Sequence, residues 1–309
     1  MPFSLSVLIP VYNYDPSPLL DLLEKEVETI ENERIEILLG DDASAPEYTA
    51  LYQKLAQRPY VRVVRAAQNG GAGAMRNRLA REAQSDLLLC LDSDITPLSP
   101  HFIRNYLEAS DGNSVVMGGH VYTSHMPEPG KRLHFLYGSR VESRSASDRA
   151  RYPYKAIGGV SFLIPRSLLL SVPFDEEVRM GYEDALWGAN LKEKAIPVRH
   201  IDNPVRHELR ASDQAFLAST RCYIDNLYHF RTHFPKGTVR LWDTTQRFAL
   251  LIPFGALFFR LFRPLMERQL CGTKPSLKLF SLYKWSYLCH TIRTNKRKKK
   301  HDKRPNWKK

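Results

Sequence analysis

Two aspartates, Asp92 and Asp94, end the apolar stretch LLLCLDSDITP at residues 87–97, with Ser93 between them. A carboxylate is costly to bury unless a positive group meets it. A hard divalent cation takes oxygen ligands, keeps open positions for phosphate oxygens and neutralises charge on a departing diphosphate. The pair therefore predicts a Mg²⁺ or Mn²⁺ site that holds a nucleotide. The alternative is a capped loop with solvated aspartates.

A second pair of carboxylates, Glu183 and Asp184, opens the helical pattern YEDALWGANLKEKA at residues 182–195. The N-terminus of a helix favours anions. A carboxylate held near an acceptor hydroxyl can act as a general base. The pair predicts either that role or an acidic first turn that only stabilises the helix.

A glycine-rich turn, GGAGAMRN at residues 70–77, opens another predicted helix and carries Arg76. A helix N-terminus with an arginine suits a phosphate or a nucleobase, although Arg76 stands where a dinucleotide-binding motif has its third glycine. His207, in NPVRHELR, is a candidate for completing a metal site. The alternative for His207 is a surface or capping histidine.

Apolar strands alternate with helices in the first part of the chain. Strands are predicted at 4–11, 35–44, 60–66 and 86–92, and helices at 17–31 (capped by Ser17), 46–57 and 73–84. This order predicts an α/β fold with a mostly parallel sheet, flanked by helices, whose carboxyl-terminal strand ends bind ligands. Those strand ends carry Tyr12, Asn13, Asp41, Asp42, Asp92 and Asp94.

The pattern is looser from residue 112 to residue 210. We predict strands at 113–122 and 197–202, a strand that runs into a helix at 158–169, and a mobile loop at 124–155, which is rich in Arg, Ser and Pro.

Several segments, taken in order, resemble glycosyltransferase family 2 over residues 4–210. They are SVLIPVYN, EILLGDDAS, NGGAGAMRN, LLLCLDSD, GGVSFLIPR and GYEDALW. The resemblance implies a GT-A fold and an inverting transfer from a nucleotide-diphosphate sugar, preferably a UDP-sugar, to a hydroxyl of a glycan or lipid-linked acceptor. The sequence lacks the QxxRW segment of the family's processive synthases, which favours transfer of one or a few sugars.

The resemblance also implies roles for individual residues. Asp184 would be the catalytic base, and Glu183 would contact the acceptor or position the base. Asp92, Asp94 and His207, with His200 as the alternative histidine, would bind Mn²⁺ or Mg²⁺. The residues implied in nucleotide-sugar binding are Pro10, Tyr12, Asn13, Asp41, Asp42 (holding the base), Arg76 (near the base and the phosphates), Asp92 (nearer the ribose) and Ser93. Those implied in acceptor binding are Gly158, Gly159 and Trp187.

Charge is distributed unevenly along the chain. Residues 1–210 have a net charge of −4, whereas residues 260–309 have a net charge of +14. Such asymmetry suggests that the C-terminal part touches phosphate, either of lipid headgroups or of nucleic acid. An acidic body argues against a nucleic-acid groove, because binding needs a basic face on the fold.

The C-terminal third contains the apolar stretch 247–270, which is interrupted by Arg260, Arg263 and two prolines. Its longest uninterrupted apolar run has 12 residues, fewer than the ~20 that span a bilayer. We therefore predict a helical extension at 211–292 that lies in the membrane interface and a disordered polybasic tail at 293–309 drawn to anionic lipid. The alternative is an ordinary core helix with a solubilising tail.

The first residues, MPFSLSVLIPVYN, lack a charged region and a cleavage site, so no secretory signal is expected. We expect a catalytic domain at 1–210 in the cytoplasm, peripheral on the inner face of the cell membrane. A sugar nucleotidyltransferase of similar fold is the remaining alternative. It would need a glycine-rich, arginine-containing loop after the first strand, where this chain has PVYNYDPSP.

Overall fold

The computed structural model describes residues 4–30, 34–209 and 211–302, with side chains up to Lys296. The chain forms two compact units. One comprises the chain up to Ser124 together with Gly138–Glu208, and the other comprises His125–Tyr137 together with the chain from Leu209 onward. The predicted catalytic domain at 1–210 is therefore interrupted by a segment that belongs to the second unit.

The described residues form strands, α-helices and three shorter helical turns. The strands are β1 (Ser4–Val11), β2 (Arg34–Asp41), β3 (Val61–Arg65), β4 (Leu87–Leu91), β5 (Ile95–Pro97), β6 (Val115–Met117), β7 (His120–Val121), β8 (Ser161–Pro165), β9 (Val198–His200) and β10 (Val205–His207). The α-helices are α1 (Ser17–Val27), α2 (Pro46–Leu55), α3 (Gly71–Glu82), α4 (Phe102–Ala109), α5 (Arg132–Tyr137), α6 (Ala146–Ala150), α7 (Arg166–Ser171), α8 (Glu183–Glu193), α9 (Asp213–His229), α10 (Arg240–Arg247), α11 (Ile252–Leu270) and α12 (Leu277–Asp302). The turns are a π-helix at Gly138–Glu142 and 3₁₀-helices at Pro153–Lys155 and Ala249–Leu251.

The main sheet of the first unit has seven strands in the order β3-β2-β1-β4-β8-β6-β9. Strands β3, β2, β1 and β4 are parallel, while β8 is antiparallel to both β4 and β6. Strand β4 is buried at every position, because apolar clusters cover both faces of the sheet. The predicted α/β fold is confirmed, with a mixed sheet.

Sheet register brings the polar strand ends together. Val11 lies opposite Asp41 across the β1–β2 pair, so the residues that follow the two strands lie at the same edge. A second, three-stranded sheet has the order β5-β10-β7. In it, His207 lies opposite Ile95, the residue after Asp94. The two sheets therefore place His207 beside the pair of aspartates.

The second unit is helical. The carboxylate of Asp213 accepts hydrogen bonds from the backbone amides of Arg132, Leu133 and His134, which satisfies the free donors at the start of α5. Its core is an apolar cluster of Leu133, Leu217, Phe259, Met266, Leu270, Phe280 and Tyr283. This cap and this cluster explain why residues 125–137 belong to the second unit.

Four local predictions are wrong. Residues 124–155 are not a mobile loop, because they contain α5, the π-helix, α6 and a 3₁₀-helix. The strand predicted at 113–122 divides into β6 and β7 at Gly119, which has a φ of 86°. Ser17 lies inside α1, and its amide donates to Asp15 Oδ1. Helix α12 continues to Asp302, into the segment predicted to be disordered; residues 303–309 lie outside the described part of the chain.

The length argument against a membrane-spanning helix also fails. Residues Ala249–Leu270 form a continuous helical segment of 22 residues, whose most apolar 18-residue window has a mean hydropathy of 1.5. By length and composition alone this segment could cross a bilayer, and only 22% of its most apolar window is buried. The 12-residue apolar run underestimated the length of this segment, because the helix continues through Arg260, Arg263 and Pro264.

Candidate active site

Arg76 is the positive group that meets Asp92. Its side chain is 2% exposed, and its Nη2 lies 2.6 Å from Asp92 Oδ1 and 2.8 Å from the backbone oxygen of Gly159. A buried guanidinium requires such acceptors. Arg76 lies in helix α3, and its guanidinium neutralises the carboxylate of Asp92, which follows β4.

Gly159 joins Arg76 to the second carboxylate pair. Its oxygen accepts from Arg76, and its amide donates to Asp184 Oδ2 over 2.9 Å. A Cβ at this position would lie 2.8 Å from the Arg76 guanidinium, so only glycine permits the contact. A Cβ at Gly158 would meet nothing within 4 Å, so Gly158 borders open space.

Glu183 and Asp184 form the first turn of α8. Gly181 and Tyr182 precede them with φ values of 75° and 70°. A left-handed tyrosine is strained, and such strain clusters at functional sites. Glu183 Oε2 and Asp184 Oδ1 are buried without a hydrogen-bond partner among the described residues. Each acid therefore has an oxygen available for a proton or a ligand.

Burial raises the pKa of both acids. It raises the pKa of Glu183 to about 7, with repulsion from Asp184 as the next cause. It also raises the pKa of Asp184, against the lowering effect of Arg76. A general base works best when its pKa lies near the operating pH. The pair can therefore accept a proton at neutral pH more readily than exposed carboxylates.

A group of possible metal ligands lies beside these acids. Each of Asp92, Asp94 and His207 offers a ligand atom, and the three atoms lie within 4.8 Å of one another. Two carboxylates and an imidazole form a donor set that fits Mn²⁺ or Mg²⁺. Asp92 would bind through the oxygen that Arg76 leaves free. His200 does not join the group, because its two ring nitrogens contact Arg149 and the backbone oxygen of Pro153.

The other predicted nucleotide residues lie at the ends of β1 and β2. Asn13 Oδ1 accepts a hydrogen bond from the backbone amide of Ala45, and the backbone amide of Asn13 donates to Ser44 Oγ. Asp41 is buried, accepts from the amide of Ser44 and lies 3.3 Å from the guanidinium of Arg65. These contacts fix the loop after β2, beside the exposed ring of Tyr12, which is 53% accessible.

The sequence pattern of glycosyl transferase family 2 matches residues 6–172, more than half of the chain. The chain belongs to glycosyl transferase family 2. The match includes most of β1, the glycine-rich turn, Asp92 and Asp94, and β8, whereas Glu183, Asp184 and His207 lie beyond its end. No curated protein sequence matches this family 2 chain.

Three solved structures resemble this family 2 chain. The first is mannosyltransferase PcManGT from Pyrobaculum calidifontis in complex with GDP-Man and Mn²⁺, at 13% identity and a TM-score of 0.57, covering 97% of this chain and 88% of that one. The second is TarS 1–349 of S. aureus, at 15% identity and a TM-score of 0.51, covering 97% and 92%. The third is a mycobacterial protein at 19% identity and a TM-score of 0.52, covering 76% of each chain. At these identities the likeness shows the GT-A fold.

The structure contradicts one residue role that the family resemblance implied and shows the structural contacts of two other residues. Trp187 is fully buried, stacks on Phe174 and donates its indole N–H to the backbone of Val172, so it packs the core and is not open to an acceptor. Arg76 is almost fully buried, and its Nη2 contacts Asp92 and Gly159; its place near the base and the phosphates of a nucleotide stays a prediction. Both carboxylate oxygens of Asp42 accept from backbone amides, those of Gly70 and Gly71, so Asp42 holds the glycine-rich turn.

Pro10 and Ser93 occupy simpler positions. Pro10 is buried within β1 opposite Gly40, and Ser93 is half-buried in the turn between Asp92 and Asp94. His120 is a further residue near the site, close enough to lower the pKa of Asp184. No local pattern marks His120, because it reaches the site only through the pairing of β7 with β10.

Proposed function

We propose that this family 2 chain is a metal-dependent, inverting glycosyltransferase. The observation that carries the proposal is the chain of contacts from Asp92 through Arg76 and Gly159 to Asp184. It sets a candidate base directly beside a candidate cation site. A single-displacement transfer needs both, since the acceptor loses a proton as a charged diphosphate leaves.

In the proposed reaction, the donor lies along the edge formed by Tyr12, Asn13 and the loop after β2. Asp94, Asp92 and His207 would hold Mn²⁺ or Mg²⁺, which would neutralise charge on the leaving diphosphate. Asp184 Oδ1 takes the proton of the acceptor hydroxyl, while Oδ2 stays on the amide of Gly159. The hydroxyl attacks opposite the leaving group, so the configuration at the sugar carbon inverts.

The donor class is proposed to be a nucleotide-diphosphate sugar. The family resemblance favours a UDP-sugar, and the GDP-Man complex of the similar mannosyltransferase makes a GDP-sugar the second candidate. We propose a glycan or a lipid-linked glycan as acceptor, to which Gly158 is open. Nucleic acid is not a proposed partner, because the first unit has no excess of basic residues.

A donor panel tests this function. We expect the purified protein, with Mn²⁺ and acceptor glycans, to release free UDP or GDP from one nucleotide sugar and to leave the others intact. The products are separated by ion-exchange chromatography. Release of pyrophosphate from a sugar phosphate and a nucleoside triphosphate would instead identify a nucleotidyltransferase and overturn the proposal.

We further propose that the second unit binds the cytoplasmic face of a membrane. Leu250, Phe254, Leu257, Leu261 and Leu265 are 90%, 70%, 44%, 60% and 64% exposed. Their spacing of three or four residues places them along one face of the helical segment Ala249–Leu270. We call these five residues the apolar stripe. So much exposed apolar surface in one row marks an interaction site.

The opposite face of α11 is packed against protein. Ile252, Phe259 and Met266 are each less than 10% exposed and belong to the apolar clusters that α11 shares with α12. One face of α11 is packed against protein, and the exposed apolar face is on the other side. Such a helix suits an orientation parallel to the membrane surface better than one that crosses the bilayer. Exposed arginines, including Arg260 and Arg268, would meet anionic headgroups.

Removing part of the apolar stripe is expected to weaken membrane binding by at least tenfold. The Phe254→Ser/Leu261→Ser variant loses two side chains whose full burial is worth about 1.5–3 kcal/mol each. Co-sedimentation with phosphatidylglycerol vesicles measures the effect. The control is Leu170→Ser, since Leu170 is 41% exposed in the first unit. Wild-type binding by the double variant, or equal binding to neutral and anionic vesicles, would contradict the proposal.

A further inference from the structure

Two aromatic rings from β7 and its continuation flank His207. Strands β7 and β10 are parallel neighbours, with Val205 opposite His120, so the register brings Tyr122 beside His207. The ring of Tyr122 meets that of His207 edge to face at a centroid distance of 5.7 Å. The ring of His120 lies 6.3 Å from the ring of His207.

A single carboxylate oxygen contacts both flanking rings. The Tyr122 hydroxyl donates to Glu142 Oε2 over 2.6 Å, and His120 Nε2 lies 3.9 Å from the same oxygen. Glu142 is the last residue of the π-helix Gly138–Glu142. Such helices are rare in proteins, and those that occur are often found at functional sites. A Cβ on Gly138 would lie 2.3 Å from the Tyr122 ring. The π-helix thus fixes Tyr122 at its ring and at its hydroxyl.

His207 needs such support. A metal-binding histidine is ordinarily oriented by a hydrogen bond from its second ring nitrogen. Here Nδ1 of His207 is buried without a partner among the described residues, while Nε2 lies 3.6 Å from Asp94 Oδ1. The His207 ring instead contacts the rings of Tyr122 and His120, which can set the direction in which Nε2 faces Asp94.

We propose that Glu142 and Tyr122 are positioning residues, which set the affinity of the site for a divalent cation through the orientation of the His207 ring. The inference rests on the proposed metal-dependent function and assigns part of it to the π-helix. The ring of Tyr122 packs against the His207 ring, and Glu142 accepts the hydrogen bond that fixes Tyr122.

The test measures Mn²⁺ binding to the full-length protein by titration calorimetry, independently of activity. We expect Glu142→Ala to weaken Mn²⁺ binding about tenfold, the lower end of the usual effect of losing an outer-shell partner. Tyr122→Phe keeps the ring and loses one hydrogen bond, so a decrease of a few fold is expected. The double variant should bind no more weakly than Glu142→Ala, because both changes break the same contact. The control is Tyr152→Phe, since Tyr152 is 65% exposed.

A His207→Ala background separates positioning from other effects. If Glu142 acts through His207, then Glu142→Ala should not weaken Mn²⁺ binding further in that background. A further decrease there would show a direct effect of the Glu142 charge or a general loss of structure, and would overturn the inference. Unchanged affinity in Tyr122→Phe and Glu142→Ala would overturn it while leaving the proposed function intact. Absence of Mn²⁺ binding by the wild-type protein would overturn both.

Discussion

Asp184→Asn is expected to lower the rate of sugar transfer by about 10²–10⁴, the usual contribution of a general base. The donor affinity should change by no more than a few fold. The asparagine keeps an oxygen that can accept from the amide of Gly159, as Asp184 Oδ2 does, so the contact with Arg76 through Gly159 is preserved. Single-turnover transfer rates and calorimetric donor binding measure the two effects separately.

Glu183→Gln is the matched control, because Glu183 shares the turn and the burial of Asp184 but is not the proposed base. We expect it to reduce transfer less than Asp184→Asn does. NMR of the product gives the second check. A product that retains the anomeric configuration of the donor would rule out the single displacement, and so would loss of donor binding in Asp184→Asn.

The base assignment also determines the pH dependence. Only the ionised form of Asp184 can accept a proton, and burial raises the pKa of this carboxyl. Transfer should therefore decrease as the pH falls through that raised pKa, at a higher pH than for an exposed aspartate, which titrates near 3.8. A pH–rate profile that stays flat down to the range of an ordinary aspartate would contradict this role.

Local patterns predicted the first half of the fold well because each strand is followed by its own helix. The apolar runs at β1, β2 and β4 are each followed directly by polar residues. The sequence therefore predicted that these polar residues lie together at the carboxyl-terminal edge of the sheet. The division of β6 from β7 could not. The break falls at Gly118 and Gly119: Gly119 has a positive φ, and a Cβ on Gly118 would clash with the hydroxyl of Tyr106 in α4.

The same distinction applies to the site. Asp92, Asp94, Glu183 and Asp184 follow from short motifs, and the structure brings them together. The roles of Arg76 and Gly159 do not follow, because a sequence cannot tell a buried guanidinium from one that faces a ligand. Glu142 lies in a segment that polarity marked as a loop. Only tertiary pairing shows that this segment supports His207.

Asp94→Asn is expected to lower transfer by at least 10², because a bound cation contributes several kcal/mol of transition-state stabilisation. The substitution keeps the shape of the side chain and removes the charge that attracts the cation. Asp94 is a sharper test than Asp92, since Asp92 also neutralises the buried Arg76 and its loss would disturb the core. Transfer rates at saturating donor, with Mn²⁺ titrated, measure the effect.

The matched control is Asp86→Asn, because Asp86 is exposed and precedes β4 at the end opposite to Asp94. It should transfer sugar at the wild-type rate and respond to Mn²⁺ in the same way. Excess EDTA should reduce the wild-type protein to the level of Asp94→Asn, and added Mn²⁺ should restore only the wild type. Full activity in EDTA, or in Asp94→Asn without added metal, would show that transfer proceeds without a cation at this site.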